Sequence, residues 1–120
     1  MARYVDGFVI PVPKKNLATY RRMAKLGAKI WRDYGALEYY ECAGDDLKVK
    51  WGKTFPRQLN LKPNETVIFS WIVYKSRAHR DRVNAQVMKD PRMNDPKMKK
   101  MMPFDMKRMC FGGFDVLVSW

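Results

Sequence analysis

The chain has 120 residues, is 47% hydrophobic and carries a formal net charge of +12, which makes one domain with room for a single core of one sheet and two helices. No apolar run approaches the ~20 residues that span a bilayer, and the start MARYVDG has no apolar stretch behind a basic end, so the expectation is a cytoplasmic protein without membrane contact. Cys42 and Cys110 form no CxxC pair, which argues for a reducing compartment, and with one histidine they are too few for a zinc site.

Tyr4 to Val12 reads as a strand that is apolar on both faces and therefore lies between two layers. Asp6 and Gly7 interrupt it. A mid-strand carboxylate must be paired, hydrogen-bonded or protonated if buried, and Gly7 leaves space for a neighbour. From Lys14 to Tyr34, Leu17, Tyr20, Ala24, Gly27, Trp31 and Tyr34 recur at steps of three and four, one face of an amphipathic helix. Gly27 on that stripe predicts close packing on the sheet, and Gly35 a C-terminal cap. Arg21, Arg22, Lys25, Lys29 and Arg32 fall on the outer side.

Ala36 to Cys42 is a second strand. Leu47 to Phe55 alternates Val49 and Trp51 against Lys48 and Lys50, so it reads as a hairpin arm stopped by Pro56. Residues 56–65 are a loop. Thr66 to Tyr74 (TVIFSWIVY) is apolar on both faces and must be central. Ser76 caps a helix running to Asp90, with Val83, Val87 and His79 inward. Asp95-Pro96 opens a short turn through Met102. Seven of the nine methionines lie between Met88 and Met109. Methionine fills irregular gaps, its commoner role, or lines adaptable pockets. The last strand runs from Phe111 to Val118.

Strand, helix, strand, strand, helix, strand is the ferredoxin-like split βαβ order: an α+β fold with both helices on one face of a four-stranded antiparallel sheet. The other face is apolar too, and a second subunit, sheet against sheet, is the simplest cover. Charge follows the helices. Lys14–Tyr34 has seven cations and one acid, residues 36–74 have five of each, and residues 75–109 have eleven cations and four acids. The excess forms a basic face rather than a tail.

The stretches KPNETVIFSWIVYKSRAHRDRVNAQVMKDPRM and MPFDMKRMCFGGFDVLV, with YVDGFVIPVP at the start, closely resemble the YbaA-like family of small bacterial proteins of unknown function. The resemblance runs from about Tyr4 to Val118. It departs in the basic middle loop and in the Met-Lys-Lys-Met run before MPFD. It implies a dimeric α/β barrel, two ferredoxin-like subunits with their sheets face to face. It carries over no catalytic residues.

Three functions are weighed. One is a small-molecule site between helices and sheet that binds or transforms an apolar or aromatic molecule; another is a structural or stress-response dimer without ligand. Trp31, Trp71, Met106 and Met109 would line the site, with Asp6 and Arg108 as further binding candidates. His79 and Asp105 are the candidate acid–base pair, to be weighed against a capping histidine and a turn aspartate. No cofactor motif is present: Gly112-Gly113 lacks a following helix. The third function is weak, sequence-blind nucleic-acid binding on the basic helical face, since no reading motif accompanies the charge.

Overall fold

The computed structural model describes residues 3–100 and 102–120. Its sheet is antiparallel, in the order β2-β3-β1-β4, built from β1 (Tyr4–Pro13), β2 (Glu38–Ala43), β3 (Glu65–Tyr74) and β4 (Cys110–Asp115). The two long helices are α1 (Leu17–Asp33), entered by a 3-10 turn at Lys14–Asn16, and α3 (Arg77–Lys89). This is the predicted ferredoxin-like α+β fold, with the two strands that are apolar on both sides at the centre. Two short helices, α2 (Phe55–Gln58) and α4 (Pro96–Lys100), lie in the connections.

The ends follow local chemistry. Gly35 takes φ +103°, open to glycine at little cost, and donates its N–H to Arg32 O. Ser76 Oγ accepts the His79 N–H at 3.1 Å. Asp95 Oδ1 accepts the Lys97 N–H at 2.9 Å, so the Asp-Pro pair starts α4 as predicted. The rest of that predicted turn includes Met101, which lies outside the described residues.

Two strand assignments are corrected. Residues 47–55 form no hairpin arm. The β2–β3 ladder ends where the Gly44 N–H meets Val67 O, and Leu47 folds back against Gly44 and Val67, its Cδ1 2.7 Å from where a Gly44 Cβ would stand. Thr54 then caps α2, and Pro56 sits in its first turn rather than ending a strand. β4 stops at Asp115, not Val118, because its partner runs out: Tyr4 is opposite Asp115, and the Val116 N–H already reaches Arg3 O.

The even-numbered residues of β1 and β3 face the helices. At one end Ile72 and Tyr74 pack with Ile30, Val83 and Val87 from α1 and α3. At the other, Ile10, Val12 and Ile68 pack with Tyr20 and Ala24 of α1, and Phe104 and Met109 close over them. The segment after α3 therefore covers the part of the sheet that α3 does not reach. The opposite face carries Phe69 and Phe114, 48% and 59% exposed. Phe114 lies over Gly7, which gives that glycine its predicted neighbour. The five α1 cations, Arg21 to Arg32, all point outward.

Candidate functional site

Alternation along β2 sends Tyr40 and Cys42 to the open face and Tyr39 and Glu41 under α1. The register places Tyr39 opposite Ile72 and Glu41 opposite Ser70. Tyr20, on the α1 stripe, comes down to the same carboxylate. Its hydroxyl donates to Glu41 Oε1 at 2.8 Å, and the Tyr39 hydroxyl donates to Glu41 Oε2 at 2.7 Å. Gly27 makes the approach possible, since a Cβ there would stand 2.9 Å from the Tyr39 hydroxyl oxygen. Burial first, then the Glu41 charge, pushes both phenols far up, so each stays a proton donor.

This bridge forms one wall of a cavity of about 300 Å³ between α1, the sheet and the methionine-rich segment. The lining is overwhelmingly apolar: Phe8, Trp31 and Ile72 on one side, Met98, Met106 and Met109 among the residues on the other. Polar groups are few. They are Glu41, its two phenols, Ser70, and Lys99 near the mouth, where Met102 and Met106 are also exposed. A groove of about 410 Å³ lies at the α1–β2 edge, sharing Tyr20, Tyr39 and Glu41 and carrying Arg21 and Lys25.

The sequence-predicted residues divide. Trp31, Met106 and Met109 line the cavity. Trp71 is turned to the open face of the sheet, stacked on Tyr40 at 5.0 Å between ring centroids. Asp6 is 1% exposed and held by Arg80 Nη1 at 2.8 Å and Asn84 Nδ2 at 3.2 Å. Both of these partners come from α3. Trp31 Nε1 joins the same network, donating toward Tyr74 Oη at 3.1 Å and Asn84 Oδ1 at 3.0 Å. Arg108 is bound to Glu65 at 2.5 Å and reaches the Leu59 and Asn60 carbonyls, pinning the long loop to the last corner.

His79 and Asp105 are not brought together in this cavity, and neither lines it. His79 Nδ1 accepts the Lys75 N–H at 3.0 Å, and burial, then Lys75 and Arg82, lowers its pKa. Asp105 is exposed and accepts the Lys107 N–H at 2.9 Å at the head of a 3-10 turn. The residues missed were Tyr39 and Glu41, together with the part Tyr20 plays. The alternation of Glu38-Tyr-Tyr-Glu41 along an edge strand was the available signal, because it puts a carboxylate on the covered face.

The sequence pattern of the family described as "Protein of unknown function (DUF1428)" matches residues 3–106. "Uncharacterized protein YbaA" of Escherichia coli K12 is 40% identical over 117 residues, 98% of each chain, and the protein of the same description from Shigella flexneri matches equally. Among solved structures, a dimeric ferredoxin-like protein from an uncultured marine organism superposes with a TM-score of 0.62 over all of both chains at 10% identity. The de novo designed protein Foldit4 gives 0.50 at 11% identity, over 98% of this chain and 99% of its own. These last two likenesses concern the fold alone.

Proposed function

We propose, from the premise that the chain belongs to the DUF1428 family of proteins of unknown function, that it binds a small apolar or aromatic molecule in the cavity beneath α1. One observation carries this reading: a cavity of about 300 Å³, walled by aromatic and methionine side chains, with one carboxylate oriented by two phenols. Ligand sites are concave, mostly apolar and fitted with a few fixed polar groups, at about 300–1,000 Å³. The volume suits a one-ring molecule better than a large cofactor. Methionine walls adapt to shape, which favours a site over a void.

The test is thermal unfolding with a neutral one-ring aromatic such as 2-phenylethanol. A ligand at a hundredfold excess over its Kd stabilises the native state by about 2.7 kcal/mol. A melting temperature that stays flat through millimolar concentrations of several such molecules contradicts the reading.

The dimer belongs to the same proposal. Phe69, Tyr40 and Phe114 leave the sheet's open face apolar and exposed, and a second copy packed sheet to sheet covers it. The marine ferredoxin-like neighbour is described as dimeric, in keeping with this. Sedimentation at micromolar concentration then gives twice 14.2 kDa; a stable monomer contradicts it. The row of exposed cations on α1 favours one second reading, weak nucleic-acid binding. Its affinity falls by orders of magnitude between ~50 and ~200 mM salt, whatever the sequence. Among the described residues no helix is long and apolar enough to cross a membrane. We place the protein in a reducing cytoplasm, a reading supported by Cys42 and Cys110, both free and exposed.

A further inference from the structure

The cavity reading leaves the chemistry of the occupant open, and any choice of occupant rests on that reading. Glu41 is the one carboxylate lining the cavity among the described residues. A carboxylate has about four acceptor positions on its two oxygens. Tyr20 fills one on Oε1 and Tyr39 one on Oε2. Both phenols spend their only proton on this group, so neither has one to offer a ligand.

Acceptor capacity is therefore in surplus at this wall, and the surrounding lining has little to satisfy it. Ser70, opposite Glu41 in the register, brings one hydroxyl. Lys99 lines the mouth and makes no ion pair with Glu41 within 4 Å among the described residues. A pure hydrocarbon in this space would displace water from a carboxylate and return nothing. An anion would face a like charge at low dielectric. A molecule with one donor at the end of an apolar body meets both demands.

We infer that the cavity selects small apolar or aromatic molecules bearing one hydrogen-bond donor, a protonated primary amine ahead of a hydroxyl, and that Glu41 receives that donor. The preference for the amine follows from two effects. A hydroxyl and an ammonium would both make a charge-assisted bond to the carboxylate, and the ammonium adds the attraction of opposite charges at low dielectric. The Trp31, Phe104 and Tyr20 rings among the walls also attract a cation. The chain's positive charge opposes this, but the α1 cations point outward, and at physiological salt their field decays over about 8 Å.

The experiment is calorimetric titration of the full chain at neutral pH with four probes of matched body: ethylbenzene, 2-phenylethanol, 2-phenylethylamine and 3-phenylpropanoate. The expected order is amine, then alcohol, then hydrocarbon, with the carboxylate undetected. In Glu41→Gln the amine loses at least tenfold in affinity, the hydrocarbon holds or gains, and the carboxylate is no longer excluded. The double variant Tyr20→Phe/Tyr39→Phe keeps the charge and removes its two donors, so the amine binds more tightly; it serves as a second test should Glu41→Gln fail to fold. Ethylbenzene equal to the amine, a carboxylate that binds best, an order unchanged in Glu41→Gln, or an amine affinity that does not rise in the double variant overturns the inference and leaves the cavity reading standing. If none of the four binds, both fall.

Discussion

Two carboxylates sit mid-strand on the same covered face of this sheet, and they do opposite things. Asp6 on β1 is closed off. One oxygen takes Arg80 and the other Asn84, and the Arg80 guanidinium lies 4.9 Å from the Tyr4 ring centroid. Glu41 on β2 is held by two neutral phenols and borders a cavity. Each cluster leans on a glycine: Gly113 makes room for the Tyr4 hydroxyl, Gly27 for that of Tyr39. The lesson is that burial and hydrogen bonding do not by themselves mark a site. A carboxylate matched by a cation and an amide is part of the frame. One oriented without being neutralised, next to empty space, is available to a ligand.

The contrast breaks first at Asp6. Asp6→Ala removes the buried partner of Arg80, whose side chain is only 14% exposed, and leaves it only the exposed Asp81 carboxylate at 2.8 Å. Losing one partner of a buried ion pair costs about 3 to 5 kcal/mol. Urea denaturation measures it, and a loss below about 1 kcal/mol would move Asp6 out of the frame. Gly113→Ala comes next. A Cβ there would overlap the Tyr4 hydroxyl oxygen, which Arg80 helps to hold, and overpacking of this kind costs about 1 to 3 kcal/mol. At Gly27 the equivalent gap is wider, 2.9 Å, so Gly27→Ala costs less stability but tilts Tyr39 off Glu41 and weakens ligand binding more than folding. Glu41→Gln is smaller again in stability, about 1 kcal/mol, since an amide keeps part of the hydrogen bonding; its main effect is on ligand choice.

The smallest effect is in pH. Arg108 beside Glu65 holds that carboxyl below its ordinary value of 4.5. The folded state therefore binds this proton less readily than the unfolded state. The resulting stability is complete above pH 4.5 and is lost as pH falls through the lowered value. His79, also lowered, has the same sign and begins to act at a higher pH, below its ordinary 6.5. Denaturation curves between pH 7 and pH 3 should decline more gently in Glu65→Gln, within an otherwise unchanged profile.

Much of the frame was legible in the sequence because it rests on periodicity. The two central strands, the α1 stripe with Gly27, the Ser76 cap and the Gly35 end all declare themselves locally. The open apolar face was legible for the same reason. What failed was set by partners far away in the chain. Residues 47–55 alternate like a strand, yet β2 gives them nothing to pair with beyond Gly44. Trp71 looked like a wall of the same pocket as Trp31 until the register put it on the other face. Arg108 looked free for a ligand, but Glu65, 43 residues earlier, had claimed it. Glu41 was passed over because its role depends on Tyr20 coming down from α1, a contact across 21 residues that no local pattern announces.

The central claim, that the space beneath α1 is a ligand site, is tested most directly by the methionine ε-methyl resonances of the unaltered protein. Met98, Met102, Met106 and Met109 line the cavity, Met88 is exposed on α3 and does not, and the α1–β2 groove contains no methionine. Titration with 2-phenylethanol, with methyl carbons labelled, should shift the first four together and saturably while Met88 stays still. No saturable shift, or equal movement at Met88, would contradict the account.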